Sequence, residues 1–134
     1  MATLLCHITI NKGKEEAFEA VMLDMYRRTH AEEPDCLRYE YFRGAEPRCY
    51  YCLLSYGTWE SFLLHQVSDY HEGHDFAGMI ESLQMEWVDP VQGASPLPAT
   101  SAEAMPANLN ELLRQAAKTY PVGTQAWWQD HRAN

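Results

Sequence analysis

Basic side chains are scarce in this sequence. Only 10 lysine and arginine residues stand against 19 aspartate and glutamate residues, which gives a formal net charge of −9 at pH 7. Affinity for nucleic acids comes largely from lysine and arginine side chains that neutralise phosphates. The composition therefore argues against DNA or RNA as a partner.

Long apolar runs are also missing. Apolar residues make up 46% of the 134 residues, but none of their runs is as long as the sequence of a membrane helix, which takes roughly 20 apolar residues. The first 13 residues contain His7 and Thr9, and they carry no basic leader or cleavage-like site. We expect a soluble protein without a membrane anchor, located in the cytoplasm.

Cysteines are few, and their placement excludes the usual cysteine sites. The four are Cys6, Cys36, Cys49 and Cys52. Cys49 and Cys52 have the spacing of a metal knuckle. However, residues 48–56 are typical of a β-strand, in which a spacing of three places two side chains on opposite faces. We expect reduced, packed thiols rather than a disulfide or a zinc site.

The first half of the chain shows alternating strands around one amphipathic helix. Residues 4–10 alternate between two faces, and residues 14–29 carry apolar side chains at helical spacing. Residues 36–43 and 48–56 are rich in aromatic side chains and are joined by a short turn-like segment. These two segments are therefore predicted to form an antiparallel hairpin.

The next segment predicts a second helical region and a last strand. Thr58 can cap a helix, and a break is expected near residues 67–69. The apolar stripe that follows predicts a second helical piece over residues 69–84. Residues 85–91 then predict the final strand, which ends near Pro90 and Gly93.

The order strand, helix, strand, strand, helix, strand defines the fold class. It predicts an α+β, ferredoxin-like βαββαβ fold with a four-stranded antiparallel sheet and both helices on one face. The helix-free face would expose one set of alternating side chains. An apolar and aromatic face of that size is usually covered by a second copy of the chain, so we predict a homodimer.

Residues 57–78 concentrate the side chains that could do chemistry. Three of the six histidines, His65, His71 and His74, lie there with Trp59 and Tyr70. Imidazole titrates near neutral pH, and aromatic walls suit a flat ligand. The segment predicts a small-molecule pocket with a proton-transfer group. The alternative is a half-exposed helix face on which histidines are ordinary polar residues.

Several short motifs between residues 3 and 92 occur in an informative order. They are Lys12-Gly13-Lys14, Pro34-x-Cys36-Leu37-Arg38-Tyr39-Glu40, Ser55-Tyr56, Phe62-x-x-His65 and His74-x-Phe76. Together they resemble the antibiotic biosynthesis monooxygenase (ABM) family. The resemblance implies a dimeric α+β barrel in which the sheets of two subunits face each other, with a pocket between sheet and helices in each.

The resemblance also implies an activity. Some members of the family oxidise quinols or polycyclic aromatics with molecular oxygen and no bound cofactor. A phenolic substrate becomes a strong electron donor once a base removes its proton. His65 matches the helix histidine of the family and is the first candidate for that base. His74 or His71 comes second, with Tyr70 as an orienting hydroxyl. The alternative is a ligand-binding or structural dimer without chemistry.

Further aromatic and histidine side chains are candidates for contacts with the substrate. They are Trp59, Phe62, His71, Phe76, His7 and Trp87. Trp59, Phe62 and Trp87 could equally be core residues, because aromatic rings dominate core packing. His7 lies on the strand face opposite Cys6, so it could instead serve the dimer face.

Two rival sites use the same histidines. The haem-degrading relatives have a strand asparagine and a helix tryptophan where this sequence has Cys6 and His65, and only His74 or His71 could bind the haem iron. A divalent-metal site could instead combine His71 and His74 with Asp75 or Glu72, because residues three or four apart share a helix face. We expect neither a metal nor another cofactor.

The composition changes at Gly93. Residues 93–107 are rich in alanine, serine and proline and predict a linker. Asn108 and Glu111 then form the start of a predicted helix over residues 109–118. We expect residues 1–92 to be an ABM-like domain and residues 93–134 an arm that packs on the domain or the partner subunit. Tyr120, Trp127 and Trp128 would anchor it, and the arm could also cover the pocket.

Overall fold

A five-stranded mixed sheet with helices on one face forms the centre of the protein, seen in a computed structural model that describes residues 1–101 and 107–124. The element order is β1 (Ala2–Ile10), α1 (Glu15–Glu32), β2 (Cys36–Arg43), β3 (Cys49–Tyr56), α2 (Trp59–Gln66), α3 (Asp69–Glu72), α4 (Phe76–Met79), β4 (Ile80–Trp87), α5 (Glu111–Thr119) and β5 (Val122–Thr124).

The sheet has the strand order β2-β3-β1-β4-β5. The first four strands pair antiparallel, as the ferredoxin-like pattern requires, so that prediction is confirmed. The short strand β5 adds to the edge of the sheet in parallel with β4. The sequence does not predict β5, because three residues are too few for a visible alternation of apolar and polar side chains.

The predicted helix over residues 69–84 is wrong. Two one-turn helices, α3 and α4, occupy its first part, and β4 already begins at Ile80. The apolar residues Ile80 and Leu83 do have helical spacing. In the structure, however, they pair across the sheet with Ile10 and Ile8. Pairing with the central strand outweighs the local helical pattern, and β4 therefore spans residues 80–87 rather than 85–91.

The core lies between the sheet and the helices. Every second residue of β1 faces it, and α1 and α2 cover it with side chains such as Phe18 and Phe62, which are fully buried. Cys6 and Cys52 are buried opposite each other on this face, whereas Cys49 pairs with Thr9 on the other face. All four cysteines are free, and burial raises the pKa of Cys6 to about 12.

No helix among the described residues covers the other face of the sheet. It presents Leu5, His7 and Tyr51 on the central strands and Phe42 on the edge strand β2. The Tyr51 and Phe42 side chains are exposed. This open sheet face, which we define by these side chains and Leu53, is the surface on which a dimer is predicted.

The C-terminal helix α5 packs against α2 and buries Leu113 and Ala116. Its N-cap is Asn110, two residues after the predicted cap, and the side chain of Asn110 accepts a hydrogen bond from the Leu113 amide. Trp127 and Trp128 lie outside the described residues. In the described part of the chain, the helices are either too short or too polar to span a bilayer.

Candidate functional site

A small cavity of about 90 Å³ lies between the helices and the sheet. Its polar lining comes from His65, His71 and Tyr120 together with Tyr39 and Tyr41. The rest of the wall is mainly apolar. A cavity of about 150 Å³ can hold one benzene ring, and pockets for larger ligands start at about 300 Å³. A fused aromatic molecule could therefore enter only if part of the wall moves.

His65 connects this cavity to the partly buried carboxylate of Glu33. Its side chain is 1% exposed, and its Nδ1 lies 2.9 Å from Oε1 and 3.1 Å from Oε2 of Glu33. A carboxylate only accepts hydrogen bonds, so Nδ1 must be the donor. In the neutral imidazole, Nε2 is then the nitrogen without a proton. The pair is arranged like a base and its orienting acid.

Glu33 is held by two further donors. The Tyr56 hydroxyl donates to Oε2 at 2.9 Å, and the Tyr70 hydroxyl donates to Oε1. Glu33 is also the C-cap of α1, where its amide bonds the carbonyl of Thr29. The helix ends there because Pro34 follows and restricts the backbone of the residue before it. The end of α1 therefore places one carboxylate beside His65 with most of its acceptor positions in use.

A second, larger space lies on the outer side of this pair. An outer cleft of about 420 Å³ is lined by Glu33, His65, Tyr56 and Tyr70 among others. The inner cavity and the outer cleft share His65 as a wall. The Glu33 side chain is 17% exposed. Small solutes can thus approach the carboxylate from the outer cleft while His65 borders the inner cavity.

His71 is the second histidine at the cavity. Its ring centre lies 5.3 Å from that of His65 and 4.9 Å from that of Phe76. Its Nδ1 is buried without a hydrogen bond, although Oε1 of the exposed Glu72 is 3.4 Å away. Burial, followed by repulsion from His65, lowers the pKa of His71 to about 4. His71 is therefore neutral at pH 7.

Two tyrosine hydroxyls face each other in the cavity wall. The hydroxyl oxygens of Tyr39 and Tyr41 are 2.7 Å apart, and the Tyr39 ring centre lies 4.9 Å from that of His65. Burial raises the pKa of both tyrosines well above the ordinary value. They remain protonated at neutral pH, so they can act as hydrogen-bond donors but not as bases.

The structure brings four of the predicted site residues together. His65, His71 and Phe76 line the cavity, and the Tyr70 hydroxyl reaches Glu33 beside His65. The break between α2 and α3 makes this possible because it folds the short helix α3 back beside α2. Ser68 caps α3 by accepting a hydrogen bond from the His71 amide.

The other predicted site residues lie away from the cavity wall. His74 bonds Asp24 on α1, with 2.9 Å between Nε2 and Oδ2. Phe62 is fully buried in the core. Trp59 and Trp87 pack edge to face against each other, with ring centres 6.2 Å apart.

His7 lies on the open sheet face rather than beside the cavity. Its ring packs edge to face on Tyr51, with ring centres 5.4 Å apart, and its Nε2 is 3.8 Å from Oε2 of Glu86. Because the sheet separates this face from the helices, His7 is on the opposite side of the sheet from His65.

Glu33 is the main site residue that sequence reasoning missed. The sequence offers Glu32, Glu33 and Asp35 around Pro34, all at the end of a predicted helix. Nothing in their spacing shows which of them points toward His65, 32 residues later. The useful signal was that a histidine acting as a base needs a carboxylate partner. The acidic residues at the end of α1 could have supplied one.

The residues of the alternative metal site are used elsewhere. Asp75 caps α4 by accepting a hydrogen bond from the Gly78 amide, and His74 bonds Asp24. In the described ranges, no three or more histidine, cysteine, aspartate or glutamate side chains form a group that could hold a metal ion. Cys6, at the position of the asparagine in haem-degrading relatives, is buried in the cavity wall, and a haem is far larger than this cavity.

Comparison with known proteins gives a family match. Residues 1–74 match the family described as antibiotic biosynthesis monooxygenase. This segment runs from β1 through α1, the β2–β3 hairpin and α2. Both Glu33, at the end of α1, and His65, in α2, lie within it. No protein of curated function matches the chain at a significant level.

Solved structures of similar proteins support the fold. A protein from Caulobacter crescentus CB15, provisionally described as an antibiotic biosynthesis monooxygenase, is 26% identical, with a TM-score of 0.61; the match covers 67% of this chain and 89% of that one. A protein from Bacteroides thetaiotaomicron VPI-5482 with the same provisional description is 16% identical, with a TM-score of 0.63 and coverages of 76% and 95%. A Shewanella oneidensis protein is 24% identical, with a TM-score of 0.57 and coverages of 65% and 89%.

Proposed function

This chain belongs to the antibiotic biosynthesis monooxygenase family, and we propose that it is a monooxygenase that oxidises a quinol-like or polycyclic aromatic molecule with molecular oxygen and without a bound cofactor. The observation that carries the proposal is the contact between Glu33 and His65 at the wall of a mainly apolar cavity. A base with a fixed tautomer beside a mainly apolar cavity suits the removal of a proton from a phenol.

The first step is proton transfer to His65. Nε2 takes the proton of the substrate hydroxyl, while Nδ1 continues to donate to Glu33. The carboxylate stabilises the imidazolium that forms, because opposite charges attract strongly where water is excluded. Of the Tyr39 and Tyr41 hydroxyls, the one that accepts their mutual hydrogen bond keeps its own proton free to donate to the phenolate oxygen. His71 is neutral at pH 7, so it adds no positive charge to the cavity that would oppose proton transfer from the substrate to His65.

Oxidation then follows from the phenolate itself. The phenolate gives one electron to oxygen, and the superoxide formed combines with a ring carbon that carries hydrogen, ortho or para to the hydroxyl, to make a carbon–oxygen bond. In an anthrol this carbon is the para one, and in a reduced naphthoquinone, whose para carbon already carries a hydroxyl, it is an ortho one. The proton on His65 passes to the outer peroxide oxygen. Loss of the C–H proton at that ring carbon, with cleavage of the O–O bond, releases water and leaves a quinone. Phenol and oxygen thus give quinone and water, with all electrons supplied by the substrate.

The active form is proposed to be a homodimer of ABM-like domains formed by residues 1–92. The open sheet face supports this, because it combines Leu5, Leu53, Tyr51 and Phe42, and none of the helices in residues 1–101 and 107–124 lies over them. Apolar patches on sheets are usually buried in an interface. Residues 93–134 are proposed to be an accessory arm, which packs on α2 in its described part.

Oxygen uptake tests the proposed activity. Metal-stripped protein is mixed with reduced naphthoquinones and anthrones, and uptake is corrected for spontaneous oxidation. We expect saturable uptake that falls by about 10²–10⁴-fold in His65→Ala, which is the usual contribution of a general base. His30→Gln is the matched control, because His30 is exposed on α1 and outside the cavity wall.

Two results would contradict the proposal. If His65→Ala and His30→Gln lower uptake equally, His65 is not the base. If no compound of the panel gives uptake above background, the chain is better explained as a ligand-binding or structural dimer.

A further inference from the structure

Tyr120 separates the inner cavity from a larger outside groove. The groove has a volume of about 520 Å³ and is lined by residues 83–86 of β4, by residues 119–121 and Gly123 of the arm, and by His7, which places the groove at the border of the predicted dimer face. Both spaces share Leu83, Met85 and Tyr120 as lining residues. Movement of one of these three side chains would therefore join a cavity of about 90 Å³ to a space several times larger.

Of these three residues, Tyr120 has the largest side chain and is the one that lies outside a paired strand. Leu83 and Met85 belong to β4, which is paired with the central strand β1 along its length. Tyr120 follows the last residue of α5, precedes Pro121 and is only half-buried. Its side chain is therefore attached to a helix end rather than to a paired strand.

The contacts that hold Tyr120 in place are weak. Its ring packs edge to face on His71, with ring centres 5.6 Å apart. Its hydroxyl donates to Oε1 of the exposed Glu72 at 3.3 Å, which is longer than an ordinary O–H···O bond. A hydrogen bond that long to an exposed carboxylate competes with water and does little to lock a side chain.

A buried polar atom lies behind Tyr120. Nδ1 of His71 forms no hydrogen bond of ordinary geometry, and its nearest acceptor is Oε1 of the exposed Glu72, 3.4 Å away; the His71 residue is 8% exposed. A buried nitrogen with such a poor partner is uncommon and can accept a better one. His71 lines the cavity together with Phe76 and Tyr120, so a polar substituent of an aromatic ligand entering past Tyr120 could provide this partner.

We infer that Tyr120 is the gate through which a substrate of two or more fused aromatic rings enters, so that its reacting ring meets His65 while its remaining rings lie in the groove beside β4. This inference rests on the proposed function, since it names the route and size class of that substrate. The gate lies outside residues 1–74, which match the family. The arm of this chain therefore sets which substrate sizes are admitted.

Binding kinetics of phenols of increasing size test the gate. The probes are phenol, 1-naphthol and 1,8-dihydroxyanthraquinone, and association is followed by stopped-flow fluorescence without turnover. The variants are Tyr120→Ala, which removes the gate, and Tyr120→Phe, which removes only the bond to Glu72. Leu112→Ala is the control, because Leu112 is exposed on the same helix α5. Thermal unfolding of each variant shows whether the arm remains folded.

We expect the association rate of 1,8-dihydroxyanthraquinone to rise by about tenfold in Tyr120→Ala, because association that waits for a conformational change is slow. The rate should rise less in Tyr120→Phe and remain unchanged in Leu112→Ala. Phenol should gain little from either Tyr120 variant, because it needs less of the groove. Both Tyr120 variants should therefore reduce the ratio of the association rate of phenol to that of 1,8-dihydroxyanthraquinone.

Two outcomes separate this inference from the proposed function. If the wild type binds the three-ring probe and both Tyr120 variants bind it at the same rate, the gate is wrong while the proposed function stands. If none of the three probes binds to any variant, both fail. If Tyr120→Ala unfolds, Tyr120→Leu takes its place, and an unchanged association rate of the three-ring probe in that folded variant contradicts the gate.

Discussion

The exchange Glu33→Gln tests the relation between the partly buried carboxylate and His65 most directly. Glutamine has nearly the same size as glutamate, and its carbonyl oxygen can still accept the bond from Nδ1 of His65. The change removes the negative charge and one acceptor oxygen. Three donors, His65 Nδ1 and the hydroxyls of Tyr56 and Tyr70, then compete for the single carbonyl oxygen of the glutamine side chain.

The structure sets the size of both effects. Hydrogen bonds to a charged group contribute about 1.5–3 kcal/mol each, and neutral ones about 0.5–1.5 kcal/mol. Glutamine still accepts the bond from Nδ1, and its amide can donate to a tyrosine hydroxyl, so the bonds change from charged to neutral. The difference is about 1–1.5 kcal/mol for each of the three bonds, so we expect the free energy of unfolding to fall by about 3–4 kcal/mol. Without a charge to stabilise the imidazolium, the rate of substrate oxidation should fall by about 10²–10⁴-fold.

Oxygen uptake and thermal unfolding measure the two effects separately. Glu32→Gln is the matched control, because it removes the same charge one residue earlier from an exposed position. A second variant, Glu33→Ala, opens the outer cleft of about 420 Å³ to added acetate. Acetate should restore part of the lost activity, since a free carboxylate can take the vacant position beside Nδ1.

A variant that behaves like its control would refute this role of Glu33. If Glu33→Gln is folded and oxidises the substrate as fast as Glu32→Gln does, the carboxylate does not support a base. If activity falls but acetate never restores it in Glu33→Ala, the carboxylate acts by holding the local structure and not by stabilising the imidazolium.

Two further predictions concern stability and assembly. The pKa of His71 is about 4 in the folded state, against an ordinary value of 6.5. Between these two pH values the unfolded chain binds a proton at His71 that the folded chain does not bind. Lowering the pH through this range should therefore lower the free energy of unfolding by about 3 kcal/mol. Urea unfolding at pH 7 and pH 4.5 measures this, and an equal pH slope in His71→Phe would contradict it. Leu53→Lys, on the open sheet face, should convert a dimer into a monomer in sedimentation velocity, whereas Leu64→Lys, exposed on α2, should not. Equal sedimentation of wild type and Leu53→Lys would count against a dimer through this face.

Strand periodicity accounts for the parts of the fold that were predicted correctly. The alternation of residues 4–10 and the aromatic hairpin placed three strands within one or two residues of their final bounds. Residues 69–84 failed because Ile80 and Leu83 have both a helical spacing and partners in β1. A short apolar segment with both options is decided by the sheet edge that is available to it.

The candidate site was only half visible in the sequence. The concentration of histidines in residues 57–78 indicated a pocket, and His65, His71 and Phe76 do line one. Trp59, Phe62 and Trp87 belong to the same chemical class but pack in or beside the core. Which aromatic ring faces a cavity depends on the direction of each side chain after packing, and residue type alone does not encode that direction.

By itself, the sequence determined the acidic charge, the ferredoxin-like order of elements and the presence of histidines where a helix follows a strand, because these depend on composition and on local periodicity. Only the tertiary structure decided that Glu33 meets His65, that the hydroxyls of Tyr56 and Tyr70 complete its contacts, and that Tyr120 lines the cavity. These contacts join residues far apart in the chain. Their geometry comes from how α1, α2 and α5 pack around one sheet, and that packing optimises the whole core at once.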